Sequence, residues 1–217
     1  MIKLSDVSKS FGPHRAVDRV SLVIPDHARV AVLGPSGSGK TTLLRLIAGL
    51  EIPDAGIITI GGRLASSPDF MLPPHERSIG FVFQSAALWP HMTAAENIGF
   101  ALGDVPVQKQ QQRIRTLMDR MGILPLAGRY PDQVSGGEAR RIALARALAP
   151  RPATLLFDEP LTNLNRPLRN DLLDLIIESV QETGSSMVYV THDDDEARSV
   201  ADTIIRFDKG TICGEGL

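Results

Sequence analysis

A chain of 217 residues can bury one substantial core, which favours one domain or one domain with a small appendage. Its 23 Lys and Arg nearly balance 25 Asp and Glu, so no global field draws nucleic acid or anionic lipid without specificity, and nucleic acid is not an expected partner. Cys213, the single cysteine, excludes an internal disulfide framework and a cysteine-rich metal site, and suits a reducing compartment.

The N-terminus lacks the apolar core of a secretory signal, and no run approaches the roughly 18 apolar residues that span a bilayer. Any membrane role is therefore expected to come through a partner. Short β-rich runs bounded by turn residues predict strands at 2–7, 17–24, 28–33 and 56–60. A glycine-rich loop follows residue 33, and 42–50 is apolar on nearly every side, as in a helix packed against a sheet. Residues 78–83 predict another strand. From 93 to 128 the chain is rich in helix formers, notably at 110–117, and offers no convincing strand, so it reads as a helical insert. Beyond Ser135 the pattern is helix, strand at 154–157, helix at 168–182, strand at 186–190, helix, strand at 203–207. That alternation predicts an α/β fold with a mostly parallel sheet covered by helices.

Gly34-Pro35-Ser36-Gly37-Ser38-Gly39-Lys40-Thr41 satisfies the P-loop pattern in full, between a predicted strand and a predicted helix. Glycines let successive backbone N–H groups face one anion, and the N-terminus of the helix that follows adds about half a positive charge. Lys40 supplies a point charge to terminal phosphates, and the Thr41 hydroxyl is placed to ligate Mg²⁺ beside them, with Thr42 in the same turn. A glycine-rich turn that merely joins strand to helix would explain the glycines but not this complete pattern.

A buried-strand run, Leu155-Leu156-Phe157, ends abruptly in Asp158-Glu159-Pro160. Asp158 suits a Mg²⁺ ion held through its water shell, and Glu159 can orient and deprotonate an attacking water. Standing alone, the pair has a lesser alternative as a solvated strand end capping the next helix. Gln84 follows Ile79-Gly80-Phe81-Val82-Phe83, and His192 follows Val188-Tyr189-Val190-Thr191. Ligands of open α/β sheets bind outside the carboxyl ends of strands, so four strands would deliver chemistry to one crevice. Gln84 could ligate Mg²⁺ or hold the water, and His192 could donate to a γ-phosphate. Each is, singly, more often a satisfied structural residue.

Ser135-Gly136-Gly137-Glu138 opens an alanine-rich helix, and Ser135 with Glu138 three residues on is a capping box that needs no further explanation. A Ser-Gly-Gly helix start placed before an Asp-Glu strand nevertheless resembles the signature motif of ABC ATPases, usually Leu-Ser-Gly-Gly-Gln. The rest of the family pattern is present in order: Phe11 where an aromatic stacks on adenine, Gly34 to Thr41 as Walker A, Gln84 as the Q-loop, residues 154–159 as Walker B and His192 as the switch histidine. The resemblance implies a P-loop NTPase core with an N-terminal antiparallel β subdomain and an α-helical insert, the core at about 1–84 and 150–217 and the helical subdomain at about 85–149. It also implies ATP and Mg²⁺ as ligands. Two subunits, identical or closely paralogous, would pack head to tail, each ATP held between one Walker A and the other subunit's Ser135, Gly136, Gly137 and Glu138 segment. The remaining partners implied are integral membrane permease subunits and, through the complex, an external solute-binding protein. The location implied is peripheral, at the cytoplasmic side of the cell membrane.

Two positions depart from the family pattern. Glu138 replaces Gln and is expected to cap its own helix rather than approach a nucleotide. Asn165 stands where the family's D-loop carries Asp, keeping an acceptor but losing the charge. Neither change removes Lys40, Asp158 or Glu159, so activity is still expected. Pro74-His75-Glu76-Arg77 and Ala87-Leu88-Trp89-Pro90-His91-Met92-Thr93 resemble ATPases of bacterial importers for polyamines, sugars, iron or inorganic anions. Many such relatives carry a C-terminal regulatory domain, and none is expected in these 217 residues. Leu88, Trp89 and Met92 suit a surface that receives a permease helix or, equally, a piece of core. Rival readings are a small-molecule kinase, which leaves Ser135 to Glu138 and His192 unexplained, and a non-transport ABC protein, which usually has two cassettes or a long coiled coil. An exporter remains open, because direction is set largely by the membrane partner.

Overall fold

The computed structural model describes residues 1–103 and 105–216, the last two by their backbone alone. In chain order the strands and helices are β1 (Ile2–Phe11), β2 (His14–Ile24), β3 (Arg29–Leu33), α1 (Lys40–Ala48), β4 (Ala55–Ile60), β5 (Arg63–Ser67), β6 (Phe70–Met71) and β7 (Ile79–Val82). Then come α2 (Ala94–Gly99), α3 (Val107–Arg120), α4 (Gly136–Leu148), β8 (Thr154–Asp158), α5 (Arg166–Thr183), β9 (Ser186–Thr191), α6 (Asp194–Val200), β10 (Thr203–Asp208) and β11 (Thr211–Gly216). Contacts gather these elements into two compact units. One comprises Met1–Ile79, Ala153–Glu159 and the chain from Gly184 onward, and the other Gly80–Pro152 and Pro160–Thr183.

The first unit holds two sheets. One is antiparallel, in the order β2-β1-β4-β5-β6. Its first hairpin turns at Gly12, whose φ of 57° lies in the left-handed region that glycine adopts without strain. Alternation puts Ile2, Leu4 and Val7 of β1 in the core, together with Val20, Leu22 and Ile24 of β2. The other sheet runs β11-β10-β3-β9-β8, parallel except for the terminal hairpin of β10 and β11. Every residue of β8 and β9 is buried, as expected of parallel strands covered on both faces. Helix α6 packs Ala197 against Ala31, Leu33 and Ile204.

The second unit is mainly helical. In α4 the residues from Ile142 to Leu148 are all buried, as in a helix surrounded by protein, and its alanines permit close approach. Helix α2 opens on a capping box of Thr93 and Glu96, and Asn97, fully buried, bonds to the backbone of Trp89, Met92 and Thr93. Among the described residues from 93 to 128 there is no strand.

The structure extends the strand pattern beyond the expectations. Strand β1 runs on to Phe11 because Lys9, Ser10 and Phe11 pair with Val17, Arg15 and His14 after register shifts. Strands β5, β6 and β11 have no strong β pattern of their own and form by pairing with neighbours already in place. No described helix is long and apolar enough to cross a membrane.

Candidate functional site

Strand β3 ends at Leu33, and the loop that follows reaches α1 through two glycines whose lack of a side chain is a packing requirement. A Cβ on Gly34 would stand 1.9 Å from the Phe207 carbonyl oxygen. One on Gly39 would stand 1.9 Å from that of Ala16, and Gly39 has φ of 106°. Gly37, by contrast, has φ of 79° and open space around its missing Cβ. Pro35, Ser36 and Gly37 are exposed, while Ser38 is buried and its Oγ has no hydrogen-bond partner. No side chain caps α1 and no acidic residue lies in its first turn. The helix therefore presents unoccupied N–H groups and the positive end of its dipole, which is how a helix receives an anion. Thr42, half-buried, stands in that turn.

Lys40, only 4% exposed, donates from Nζ to the carbonyls of Gly34 at 2.7 Å and Pro35 at 2.8 Å. Its Nζ is 3.7 Å from Glu159 Oε1. Burial lowers its pKa, and the carboxylates of Glu159 and Asp158 act against that shift. Next to it, Thr41 donates from Oγ1 to Asp158 Oδ1 at 2.8 Å. Asp158 is buried at the end of β8, and desolvation raises its pKa despite the Thr41 hydroxyl, which lowers it. A hydroxyl and a desolvated carboxylate oxygen in contact form a hard-oxygen pair that suits Mg²⁺. No group of three or more His, Cys, Asp and Glu that could hold a metal occurs among the described residues. An ion here would complete its shell with water and ligand oxygens.

Glu159 has φ of 44°, uncommon for a side chain with a Cβ, and precedes Pro160. Its N–H donates to the Val190 carbonyl at 3.0 Å. The turn brings its carboxylate to Lys40 on one side and to His192 on the other, where Nδ1 and Oε2 are 3.2 Å apart. His192 is held by its neighbours. Thr191 donates to the buried Glu196 at 2.9 Å and accepts from Asp193 N–H at 3.0 Å, and Asp193 caps α6. Thus Lys40, Thr41, Asp158, Glu159 and His192 are assembled at the strand ends. Phe11 lies on the β1–β2 hairpin that meets the loop at Ala16. It is 46% exposed, with Lys9 Nζ 5.5 Å from its ring centre, leaving an aromatic face free to stack.

Gln84 and residues 135–138 belong to the second unit. Gln84 is exposed beyond β7. Ser135 caps α4: Glu138 N–H donates to Ser135 Oγ at 3.3 Å, while Ser135 N–H and Oγ–H donate to Glu138 Oε2 at 2.7 and 2.8 Å. Glu138 is thus turned onto its own helix start, and those bonds lower its pKa. The two glycines differ. A Cβ on Gly137 would meet Leu168 at 2.6 Å, whereas Gly136 has nothing within 4 Å, so packing explains the first and leaves the second facing open space. Asn165 accepts the Leu168 N–H at 3.1 Å as a cap of α5, using the acceptor that Asn shares with Asp.

Three residues have supporting contacts that the sequence did not reveal. Arg140 of α4 donates to the carbonyls of Pro160 and, at 2.7 Å, of Thr162, fixing the segment after Glu159; in the sequence it is one of three arginines on an alanine-rich helix and nothing local singles it out. Glu196, which anchors the His192 turn, was hidden in a run of acidic residues. Arg77 was noted only for its resemblance, yet it is 2% exposed and holds the end of α1. Leu88, Trp89 and Met92 are half-buried. The Trp89 ring centre is 4.4 Å from that of Phe100 and 4.8 Å from the Arg146 guanidinium, and Met92, Phe100 and Ile114 line an apolar groove of about 540 Å³.

A phosphate-binding loop between strand and helix, with a carboxylate pair at the end of another parallel strand, defines a P-loop nucleotide-binding fold. The sequence profile of the ABC transporter family matches residues 17–162, and the chain belongs to that family. It is 44% identical over 99% of its length to the Fe(3+) ions import ATP-binding protein FbpC of Pseudomonas fluorescens. It is 46% identical over 97% of its length to the sulfate/thiosulfate import ATP-binding protein CysA of Thermosynechococcus vestitus. The match spans 61% and 62% of those relatives, so the chain corresponds to about three fifths of their length. Among solved structures it resembles the dimeric bacterial ABC transporter cassette MJ0796, with a TM-score of 0.90 and 32% identity over all of this chain and 98% of that one. A post-hydrolysis state of the same cassette, bound to ADP and Pi, superposes with a TM-score of 0.89.

Proposed function

We propose that this chain binds ATP with Mg²⁺, hydrolyses it, and couples the resulting dimer closure and opening to solute movement by a membrane permease, in the direction of import. The observation that carries the reading is the group of Lys40, Thr41, Asp158 and Glu159, a buried cation, a hydroxyl and two carboxylates gathered at an uncapped helix N-terminus. Import is supported by the names of the relatives.

In this reading Lys40 exchanges its bonds to Gly34 and Pro35 for terminal phosphate oxygens, and the loop amides with the buried Ser38 hydroxyl take the remaining ones. Thr41 and, through water, Asp158 would hold Mg²⁺, which would supply charge neutralisation to the terminal phosphates. Glu159 accepts the proton of the attacking water, and His192 orients the second Glu159 oxygen. Gln84 is assigned from its sequence position as a ligand or water-holding residue, and Phe11 as the adenine platform. Ser135, Gly136 and Gly137 contact the nucleotide of a second copy, with Gly136 leaving room for a phosphate and Glu138 serving as a cap. The groove at Met92 and Phe100 suits an apolar helix of the permease. An external solute-binding protein joins through that permease, and the chain works peripherally at the cytoplasmic side of the membrane.

The test is ATP hydrolysis followed as free phosphate with the folded Ser135→Arg variant, across protein concentrations. Loss of most turnover supports a shared site. Wild-type turnover with specific activity independent of concentration leaves Ser135 as a cap alone, and phosphate recovered on a second small molecule would instead indicate a kinase.

A further inference from the structure

We infer that the second unit contains a binding site for a small dianionic oxyanion of the phosphate or sulfate class, in a cavity bordered by α3 and the C-terminal ends of α4 and α5. The cavity measures about 280 Å³ and is lined by Arg113, Arg120, Arg151, Ser179 and Glu182, with Leu117 and Leu148 at its apolar wall. None of these residues belongs to the nucleotide site, so the inference stands apart from the function proposed above.

Three guanidiniums face one carboxylate, a formal excess of two positive charges. Some of that charge already has a structural use. Arg113 donates to the last carbonyls of α4, Leu148 at 3.0 Å and Ala149 at 3.4 Å, and Arg120 pairs through one nitrogen with Glu182. The rest has none. The other terminal nitrogen of Arg120 is buried without a hydrogen-bond partner, and so is the hydroxyl of Ser179, a residue only 1% exposed. Arg151 lines the cavity from an exposed position. Burial lowers the Arg113 pKa, and the charges of Arg151 and Arg120 act in the same sense, a mark of cations that outnumber their single carboxylate.

Two buried orphan donors aimed into a basic cavity are what a polar ligand rich in acceptors would satisfy. The carbonyl ends of α4 and α5 oppose an anion here, so a monoanion gains little while a dianion matches the excess of two. A tetrahedral oxyanion fits the volume, and its oxygens can accept from a guanidinium fork and from the serine hydroxyl together.

The phosphate loop is itself an oxyanion trap, so the full-length Lys40→Ala protein is the starting point. Isothermal titration with sulfate and, separately, hydrogen phosphate, at ionic strength fixed with chloride, is expected to show one saturable site. Arg151→Gln, an exposed change that leaves packing intact, should weaken it about tenfold, as should Arg120→Lys. Ser179→Ala separates a ligand site from a merely structural cluster: it should raise the melting temperature in anion-free buffer, by removing an orphan donor, while weakening the titrated affinity. The ratio of the two arms assigns the anion, since hydrogen phosphate alone can donate to Glu182. Absence of saturable binding in Lys40→Ala, or binding unchanged by Arg151→Gln and Ser179→Ala, would overturn the inference and leave the arginines as ligands of helix ends.

Discussion

Replacing Arg77 by Met tests whether the nucleotide helix is anchored from its far end. The Arg77 guanidinium donates to the carbonyls of Leu46 and Ile47 in the last turn of α1, to those of Leu72 and Ala65, and to Ser66 Oγ. It lies against Gly49, where a Cβ would come within 2.4 Å of it. In the variant the Leu46 carbonyl keeps the Gly49 N–H and that of Ala65 keeps the Leu72 N–H, but the carbonyls of Ile47 and Leu72 lose the donor they have. Two orphaned carbonyls, that of Ile47 buried and that of Leu72 part-buried, cost about 2–6 kcal/mol together, and the three other lost bonds about 1 kcal/mol each. Against this, burial holds the Arg77 pKa down at about 10, so removing the buried charge recovers about 3 kcal/mol. The net expectation is a loss of roughly 2–6 kcal/mol, measured by urea unfolding, with a melting temperature lower by about 2–4 °C for each kcal/mol. Arg77→Lys, which keeps the charge and three donors but not the fork, should fall between variant and wild type. A Met variant within about 1 kcal/mol of wild type would refute the reasoning, because the five bonds would then contribute no more than the buried cation costs.

Asp158→Asn should stabilise the ligand-free protein at neutral pH, since burial disfavours the carboxylate and Asn can still accept from Thr41. The folded pKa of Asp158 is raised, so its destabilising contribution is present above that value and is relieved as pH falls through it toward the unfolded value. The gain of the variant, read by unfolding at a series of pH values, should therefore shrink with acidification; a gain constant with pH would count against the assignment. Glu159→Gln is expected to bind ATP but to hydrolyse it about 10² to 10⁴ times more slowly, with a dimer accumulating on size exclusion; wild-type turnover would move the base elsewhere. Asn165→Ala should cost about 1 kcal/mol through the lost cap of α5, whereas Asn165→Asp should be neutral or slightly stabilising. If Ala and Asp variants unfold alike, the cap contributes nothing.

The sequence by itself determined the chemistry that depends on neighbours along the chain. The loop from Gly34 to Thr41 was legible because glycine spacing and the helix start set its geometry locally. Ser135 and Glu138 are close enough in sequence for their capping box to be legible, and it formed as expected. The run of Leu155, Leu156 and Phe157 announced a buried strand with its carboxylates at the end. The alternation of strands and helices from Ser135 onward likewise predicted the parallel sheet. Only the tertiary structure decided which distant groups meet. Thr41 reaches Asp158 across 117 residues, and His192 reaches Glu159 across 33. The positive φ of Glu159 that aims its carboxylate appears in no local pattern. The partners of Arg77, the excess of arginines around Ser179, and β5, β6 and β11 were also invisible. Hydrogen bonds across a fold and strands stabilised by pairing depend on which surfaces come together, and residue order along the chain carries little of that information.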